Sequence, residues 1–319
     1  MRSFGVIEIG SNGLRYEVGR CGQGGDFESV YKQSTRASLI SYVDGSSGKL
    51  SPQFKRLTID QISLWQADAR SRGLDRLVII TTEVGRQVAQ VDPGFWSREN
   101  FVVNVLDPSQ EALLSWMAGK GVATGTHNDA QAVVDVGNGS MSITISDESK
   151  PPEVLTAGIG GEKISQVFLE TKGSASALDS FLRSSLNVSP ATKFPSAVTL
   201  MGGFATKAGW QACRKSPKSL YNAEFLEGAI VTRTQLRECK KEIYNIISQH
   251  GAKVAQAFVD YKEPGAWKLM HVLASLSFFD VLANLMQVEQ FRISTRSVRH
   301  GALSMECDKK HDFSLLAVW

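Results

Sequence analysis

The 319-residue sequence predicts an α/β protein of two domains, and three observations carry that prediction. A β-branched run ending in an acid and a turn of Gly, Asn and Ser occurs twice, as Val6-Ile7-Glu8-Ile9-Gly10-Ser11-Asn12-Gly13 and as Val133-Val134-Asp135-Val136-Gly137-Asn138-Gly139-Ser140. Each copy reads as strand, tight turn, strand. Buried-type strands such as Leu77 to Ile80 and Val198 to Met201 alternate with stretches of helical period, the pattern of α/β proteins. The length exceeds one ordinary hydrophobic core and sets a prior of about two domains.

Taken in order, the first hairpin spans Phe4 to Arg20 and carries Arg15 on its outgoing strand. A strand follows near Phe27 to Lys32. Ser51-Pro52 is a helix start, a capping hydroxyl followed by proline at the first helical position, and Phe54, Leu57, Ile62, Trp65 and Ala69 form the apolar face of a helix that stops at Gly73. The strand Leu77 to Ile80 leads to Thr81-Thr82-Glu83-Val84-Gly85-Arg86, where Arg86 is either a phosphate clamp at a strand end or a surface arginine on the next helix. Val102 to Leu106 is a strand closed by Asp107-Pro108. Ser109 opens a helix with Leu113, Trp116 and Met117 inward, and Glu111 in its first turn is either a partner of the helix dipole or a functional acid. Gly121 to Asn128 reads as a linker, so the expected domains are 1–125 and 126–300, with 301–319 packing back onto the first.

After the second hairpin, Gly158 to Gly161 turns into a helix with Ile164, Val167 and Phe168 inward, and another follows with Leu178, Phe181, Leu182 and Leu186. Val198 to Met201 ends in Gly202-Gly203, where backbone can approach a phosphate or is merely closely packed. Helices dominate from Thr234 on. Leu269 to Met286 is nearly all apolar and serves either a domain core, the preferred reading, or a homodimer contact. Ser294 to Gly301 gathers Arg296, Arg299 and His300 as either a solvated face or an anion contact.

The bulk properties exclude several classes. A net charge of +3 from 35 basic and 32 acidic residues is too small to argue for DNA or RNA, yet suits an anionic ligand. The N-terminus has no signal-like apolar region, and the best membrane candidate, Leu269 to Met286, is interrupted by His271, Ser275, Ser277, Asp280 and Asn284, so no membrane partner and a cytoplasmic location are expected. Cys21, Cys213, Cys239 and Cys307 have no paired spacing, which predicts reduced thiols without zinc or disulfides.

The hairpins carry the chemistry. A glycine-rich turn aims successive N–H groups at one point, a nest for an anion such as phosphate. An acid directly before the turn disfavours phosphate unless a divalent cation lies between them, so Glu8 and Asp135 suggest Mg²⁺ held partly through water. Two copies suggest a duplicated architecture with the hairpins facing across a cleft.

These motifs describe the actin, hexokinase and sugar-kinase superfamily, and their wording resembles the exopolyphosphatase and guanosine pentaphosphate phosphatase family, Ppx/GppA, whose opening reads D-I-G-S-N-S-x-R. Leu50-Ser51-Pro52, Thr82 to Arg86, Ser109 to Leu113, Val134 to Ser140, Met201-Gly202-Gly203 and Val298-Arg299-His300-Gly301 match the family's landmarks in order over nearly the whole chain, in its short form without a C-terminal helical domain. The resemblance implies two actin-like, ribonuclease H-like domains flanking a cleft, and Mg²⁺-assisted hydrolysis of polyphosphate or of guanosine penta- or tetraphosphate. It assigns Glu111 as the base that activates water, and Asp135, with Glu8, as metal-linked acids. Gly10, Ser11, Asn12, Arg15, Arg86, Gly137, Asn138, Gly139, Ser140, Gly202 and Gly203 become phosphate contacts.

The chain departs from the pattern where Glu8 replaces aspartate, Asn138 a glycine, Met141 a threonine and Ser142 the glutamate that closes the second motif. Gln110 and Leu114 alter the surroundings of Glu111, and Phe204 replaces threonine. Two functions therefore stay open: a working phosphohydrolase, and a regulatory protein that binds polyphosphate or a guanosine alarmone without efficient hydrolysis. A kinase or ATPase of the wider superfamily does not account for Glu111, Arg15 and Arg86 together.

Overall fold

The structure, a computed structural model, describes residues 2–22, 27–44, 49–120, 122, 131–146, 152–187, 192–213, 223–250, 269–308 and 315. The expected linker 121–128 lies almost wholly outside them. The chain divides into two compact units, Met1–Ala118 with Val298–Trp319, and Gly119–Ser297. Both are α/β, with mixed sheets and flanking helices.

The elements run β1 (Ser3–Gly10), β2 (Gly13–Cys21), β3 (Phe27–Arg36), a two-residue ladder of β4 (Val43–Asp44) and β5 (Lys49–Leu50), α1 (Pro52–Ser71), β6 (Arg76–Thr81), α2 (Glu83–Val91), α3 (Phe95–Arg98), β7 (Val103–Val105) and α4 (Pro108–Gly119). Then come β8 (Gln131–Val136), β9 (Met141–Ser146), β10 (Glu153–Ala157), α5 (Gly161–Glu170), α6 (Ala175–Leu186), β11 (Ala197–Met201), α7 (Gly203–Cys213), α8 (Ala223–Leu226), β12 (Ile230–Thr232), α9 (Arg233–His250), α10 (Leu269–Met286), β13 (Gln290–Ile293) and α11 (Val298–Cys307).

The two sheets repeat one plan. The first has the order β3-β2-β1-β6-β7 and the second β10-β9-β8-β11-β13-β12. In each, an antiparallel meander of three strands is extended by two strands parallel to its first. The turn after β1 and the turn after β8 therefore occupy equivalent places.

In the first unit, side chains alternate across the sheet. Ile7, Ile9, Leu14, Tyr16 and Val18 pack on one face with Phe54, Ile62, Trp65 and Ala69 of α1. With buried Thr58 between Phe54 and Ile62, the buried α1 positions recur every three or four residues, and Ser51 caps the helix by accepting the Gln53 N–H at 3.1 Å. The other face carries Phe4, Val6, Val78 and Ile80 under Leu114 and Met117 of α4 and Val298, Ala302 and Leu303 of α11. Glu8 has the parity of Phe4 and Val6, and Arg15 and Glu17 sit opposite to Leu14, Tyr16 and Val18. These three charged residues consequently belong to the side that α11 covers.

Helix α10 is the core element of the second unit, packed among α5, α6, α7 and α9. It is the one helix among the described residues long and apolar enough to cross a membrane, and 78% of that stretch is buried inside the protein. Two details refine the expected pattern, and one expectation needs correction. Strand β13 lies among the helices that dominate after Thr234, and its four-residue alternation, with Phe291 and Ile293 buried, is too short to stand out between helical stretches. On α4 Trp116 and Met117 are buried as expected, Leu113 is half-buried, and Ala112 and Leu114 are buried beside them. Cys21 and Cys307 form a disulfide with Cα atoms 5.4 Å apart, against the expectation of four reduced thiols. Local spacing could not reveal a pair 286 positions apart, which meets only because α11 packs on β2.

Candidate functional site

In the first unit the candidate residues collect at the carboxyl ends of three neighbouring parallel strands, where open α/β sheets place ligands. Ile9, Thr81 and Val105 are in register near those ends, and Thr81 Oγ1 donates to the Ile9 carbonyl at 2.9 Å. The hairpin follows β1, Arg86 follows β6, and Glu111 follows β7.

Gly10 and Gly13 close the first hairpin around a two-residue turn of Ser11 and Asn12. The turn carbonyls are taken up from outside: the Ile40 N–H donates to Ser11 and the Ala37 N–H to Asn12. Gly13 has φ +136°, and a Cβ there would come within 2.2 Å of the Thr35 carbonyl oxygen, so only glycine fits where the family pattern has serine. Behind the turn, Arg15 Nη1 lies 3.0 Å from Glu8 Oε1. Arg299 of α11 reaches the other oxygen, Oε2, with Nη1 at 3.1 Å, and its Nε lies 2.7 Å from Glu17 Oε2. Lys32 Nζ and His300 Nε2 each lie 3.4 Å from Glu17 Oε1. Burial alone would raise both acids, but Arg15 and Arg299 outweigh it at Glu8, and the charges around Glu17 do the same there, so both stay below the ordinary carboxylate range. Burial, together with Arg299, pushes His300 down to about 3, and it is neutral.

Arg86 stands at the start of α2, where Gly85 packs so tightly on Thr81 that a Cβ would lie 2.0 Å from its Cγ2. Its Nη1 donates to the Leu106 carbonyl at 2.7 Å and to Glu111 Oε2 at 2.9 Å, while Nη2 lies 2.9 Å from Glu83 Oε2. Glu111 sits in the first turn of α4, whose start is a reciprocal capping box. Asp107 Oδ1 accepts from the Ser109 and Gln110 N–H groups, and Gln110 Oε1 accepts from the Asp107 N–H at 3.0 Å. Gln110 thus has a local task that the spacing Asp107-x-x-Gln110 signals in the sequence. One turn further along α4, Gly301 lets α11 approach until a Cβ would be 1.9 Å from the Leu114 carbonyl oxygen.

In the second unit, Asp135, one residue before the end of β8, is in register with Met201 of β11 and opposite Ser142 of β9. Gly202 has φ +89°, and a Cβ there would lie 2.5 Å from the Val136 carbonyl oxygen and 2.6 Å from Asp135 Oδ1. Gly203 borders open space. The turn from Gly137 to Ser140 is closed by the Gly137 N–H donating to the Ser140 carbonyl at 3.0 Å. The first N–H groups of α5, from Gly161 and Glu162, donate to the Gly137 and Asn138 carbonyls, and Asn138 Nδ2 donates to Glu162 Oε2 at 3.2 Å. A Cβ on Gly160 would lie 2.4 Å from Asn138, so α5 is docked on the turn by backbone contact.

Among the described residues no three His, Cys, Asp or Glu side chains gather as a metal site. Mg²⁺ commonly uses only one or two carboxylates with water, so the donors decide individually. Asp135, half-buried at the hairpin, fits such a role. Glu8 does not, since a guanidinium occupies each of its oxygens.

A model of the Ppx/GppA phosphatase family matches residues 18–310. The chain belongs to the Ppx/GppA phosphatase family. Its fold is similar to the crystal structure of the Aquifex aeolicus member of the Ppx/GppA family, with a TM-score of 0.78 and 20% identity over 98% of this chain and 99% of that one. It is also similar to an exopolyphosphatase from Cytophaga hutchinsonii, with a TM-score of 0.70 and 14% identity over 97% and 98% of the two chains. At such identities the likeness concerns the fold. No match is found among curated proteins. Membership of the Ppx/GppA family supports phosphohydrolase-type activity in general.

Proposed function

We propose that this Ppx/GppA protein releases terminal phosphate from inorganic polyphosphate or from a guanosine penta- or tetraphosphate. The observation that carries the reading is the Arg86–Glu111 pair: a half-buried carboxylate 2.9 Å from a guanidinium, in the first turn of a capped helix. Phosphoryl transfer asks for positioning and charge neutralisation, with a group that orients the attacking water. Glu111 takes the proton of that water as its oxygen bonds to the terminal phosphorus and the bond to the leaving phosphate oxygen breaks. Arg86 holds Glu111 in place and contacts phosphate. Arg15, the turns Gly10-Ser11-Asn12 and Gly137 to Ser140, and Gly202-Gly203 contact phosphate oxygens. Asp135 would hold Mg²⁺, which when bound neutralises charge on those oxygens.

Phosphate release from polyphosphate and guanosine pentaphosphate with Mg²⁺, measured beside calorimetric binding of both, tests this reading. Glu111→Gln is expected to lower turnover by about 10² to 10⁴-fold with binding retained. Unchanged turnover removes Glu111 from the mechanism. A second reading, a regulatory binder, is favoured by Ser142, which stands opposite Asp135 where the family pattern has glutamate. Binding without release by the wild type supports that reading, and Ser142→Glu that raises release identifies the missing acid as what limits catalysis.

A further inference from the structure

We propose that Glu8 is a positioning residue for Arg15: it holds the Arg15 guanidinium at the first hairpin for phosphate and takes no part in binding a cation. The proposal rests on the phosphate-binding reading above.

Four observations lead to it. Glu8 and Arg15 are directly opposite in the β1–β2 ladder, where facing side chains interact most strongly. The pair lies against the turn itself, because a Cβ on Gly10 would be 3.5 Å from both Arg15 Nη1 and Glu8 Oε1. Glu8 is only 6% exposed, whereas the Arg15 side chain is 40% exposed, so a ligand at the turn reaches the arginine and not the acid. Finally, Arg299 holds the second oxygen of Glu8 and is itself anchored on Glu17. A divalent cation on Glu8 would have to displace one guanidinium and sit beside the other.

The exchange of aspartate for glutamate acquires a purpose here. One methylene extends the carboxylate by about 1.5 Å, which lets it span Arg15 on the neighbouring strand and Arg299 on the covering helix at once. The charges fit the same role. Among the described residues Arg15, Arg299 and Lys32 face two acids, Glu8 and Glu17, with His300 neutral. The group keeps a surplus of positive charge, and Arg15 is its member nearest the turn.

Two variants separate this role from cation binding. Glu8→Asp keeps the charge and shortens the reach. Tripolyphosphate titrated calorimetrically in EDTA is expected to bind about five- to tenfold more weakly, the net worth of one ordinary hydrogen bond. In an Arg15→Gln background the same change is expected to have no further effect, since Glu8 acts through Arg15. Glu8→Gln removes the charge, and Mn²⁺ binding followed by electron paramagnetic resonance is expected to stay as in the wild type. An unchanged tripolyphosphate affinity in Glu8→Asp, or a tenfold weaker Mn²⁺ affinity in Glu8→Gln, overturns the proposal. Thermal melts identify a variant that fails to fold; because the Asp variant retains the buried counter-charge, it decides the question if the Gln variant is lost. A wild type that binds no tripolyphosphate with or without Mg²⁺ overturns the phosphate-binding reading together with this inference, whereas normal wild-type binding with an unaffected Asp variant overturns this inference alone.

Discussion

Behind the first turn, Glu8 meets two guanidinium groups at 3.0 Å and 3.1 Å; behind the second, Asp135 lies against backbone at Gly202, close enough that a Cβ would come within 2.6 Å of its Oδ1. The strands that carry these acids hold equivalent places in two sheets of the same plan. Strand order therefore determines where an acid stands, while its environment comes from elements remote in sequence. Helix α11 brings a half-buried arginine to the first turn, and the β11–α7 junction brings bare backbone to the second. At the first turn the protein itself supplies counter-charges to both oxygens of the acid, and at the second it brings backbone against the acid.

The largest expected effect concerns the staple on which the first environment depends. The Cys21–Cys307 disulfide ties the end of α11 to β2, so Cys307→Ser, or reductant, should cost about 2–4 kcal/mol of stability in the first unit. Calorimetry with and without reductant measures this, and identical melting would show that packing alone holds α11. Next comes the second turn. Gly202→Ala puts a side chain at φ +89° against the Val136 carbonyl and should destabilise by about 2–3 kcal/mol, whereas Gly203→Ala, bordering open space, should stay within about 0.5 kcal/mol. Equal denaturant midpoints for the two variants would remove the close approach that distinguishes Asp135.

The smallest effect is the pH dependence of the Glu8–Glu17–Arg299 group. His300 titrates near 3 when folded, against an ordinary value of 6.5, because burial and Arg299 disfavour its charge. As pH falls below 6.5 the unfolded chain takes a proton that the folded chain refuses, so stability present above 6.5 declines toward pH 3. Glu8 and Glu17, held below 4.5, add a loss of the same sign under that pH. Between pH 6.5 and 5 the histidine should contribute about 1–2 kcal/mol. His300→Gln should flatten that upper segment and leave the carboxylate part; an unchanged profile would mean that another group controls it.

How much of this was readable from residues differs from one feature to the next. Ser51-Pro52 marks a helix start because capping and proline geometry are local, and both hairpins follow from β-branched runs around glycine turns. The Glu8–Arg15 pair is likewise close to legible, since a two-residue turn determines the ladder register. The Asp107-x-x-Gln110 box is equally local and offers a signal that a reading centred on Ser109 passes over. Arg86 and Glu111 are 25 positions apart and meet only when β6 and β7 pair, which no spacing rule encodes.

Sequence by itself determined the alternation of strands and helices, the two glycine turns and the acid before each, because these depend on backbone preference and side-chain period within a few residues. Tertiary structure alone decided the company those acids keep and, at Glu8, the guanidinium groups that hold it below the ordinary carboxylate range. Arg299 reaches Glu8 across 291 positions, and Cys307 reaches Cys21 across 286. Ionic and covalent contacts of that range are set by how α11 packs on the sheet, and packing follows from the burial of whole faces rather than from any short stretch of residues.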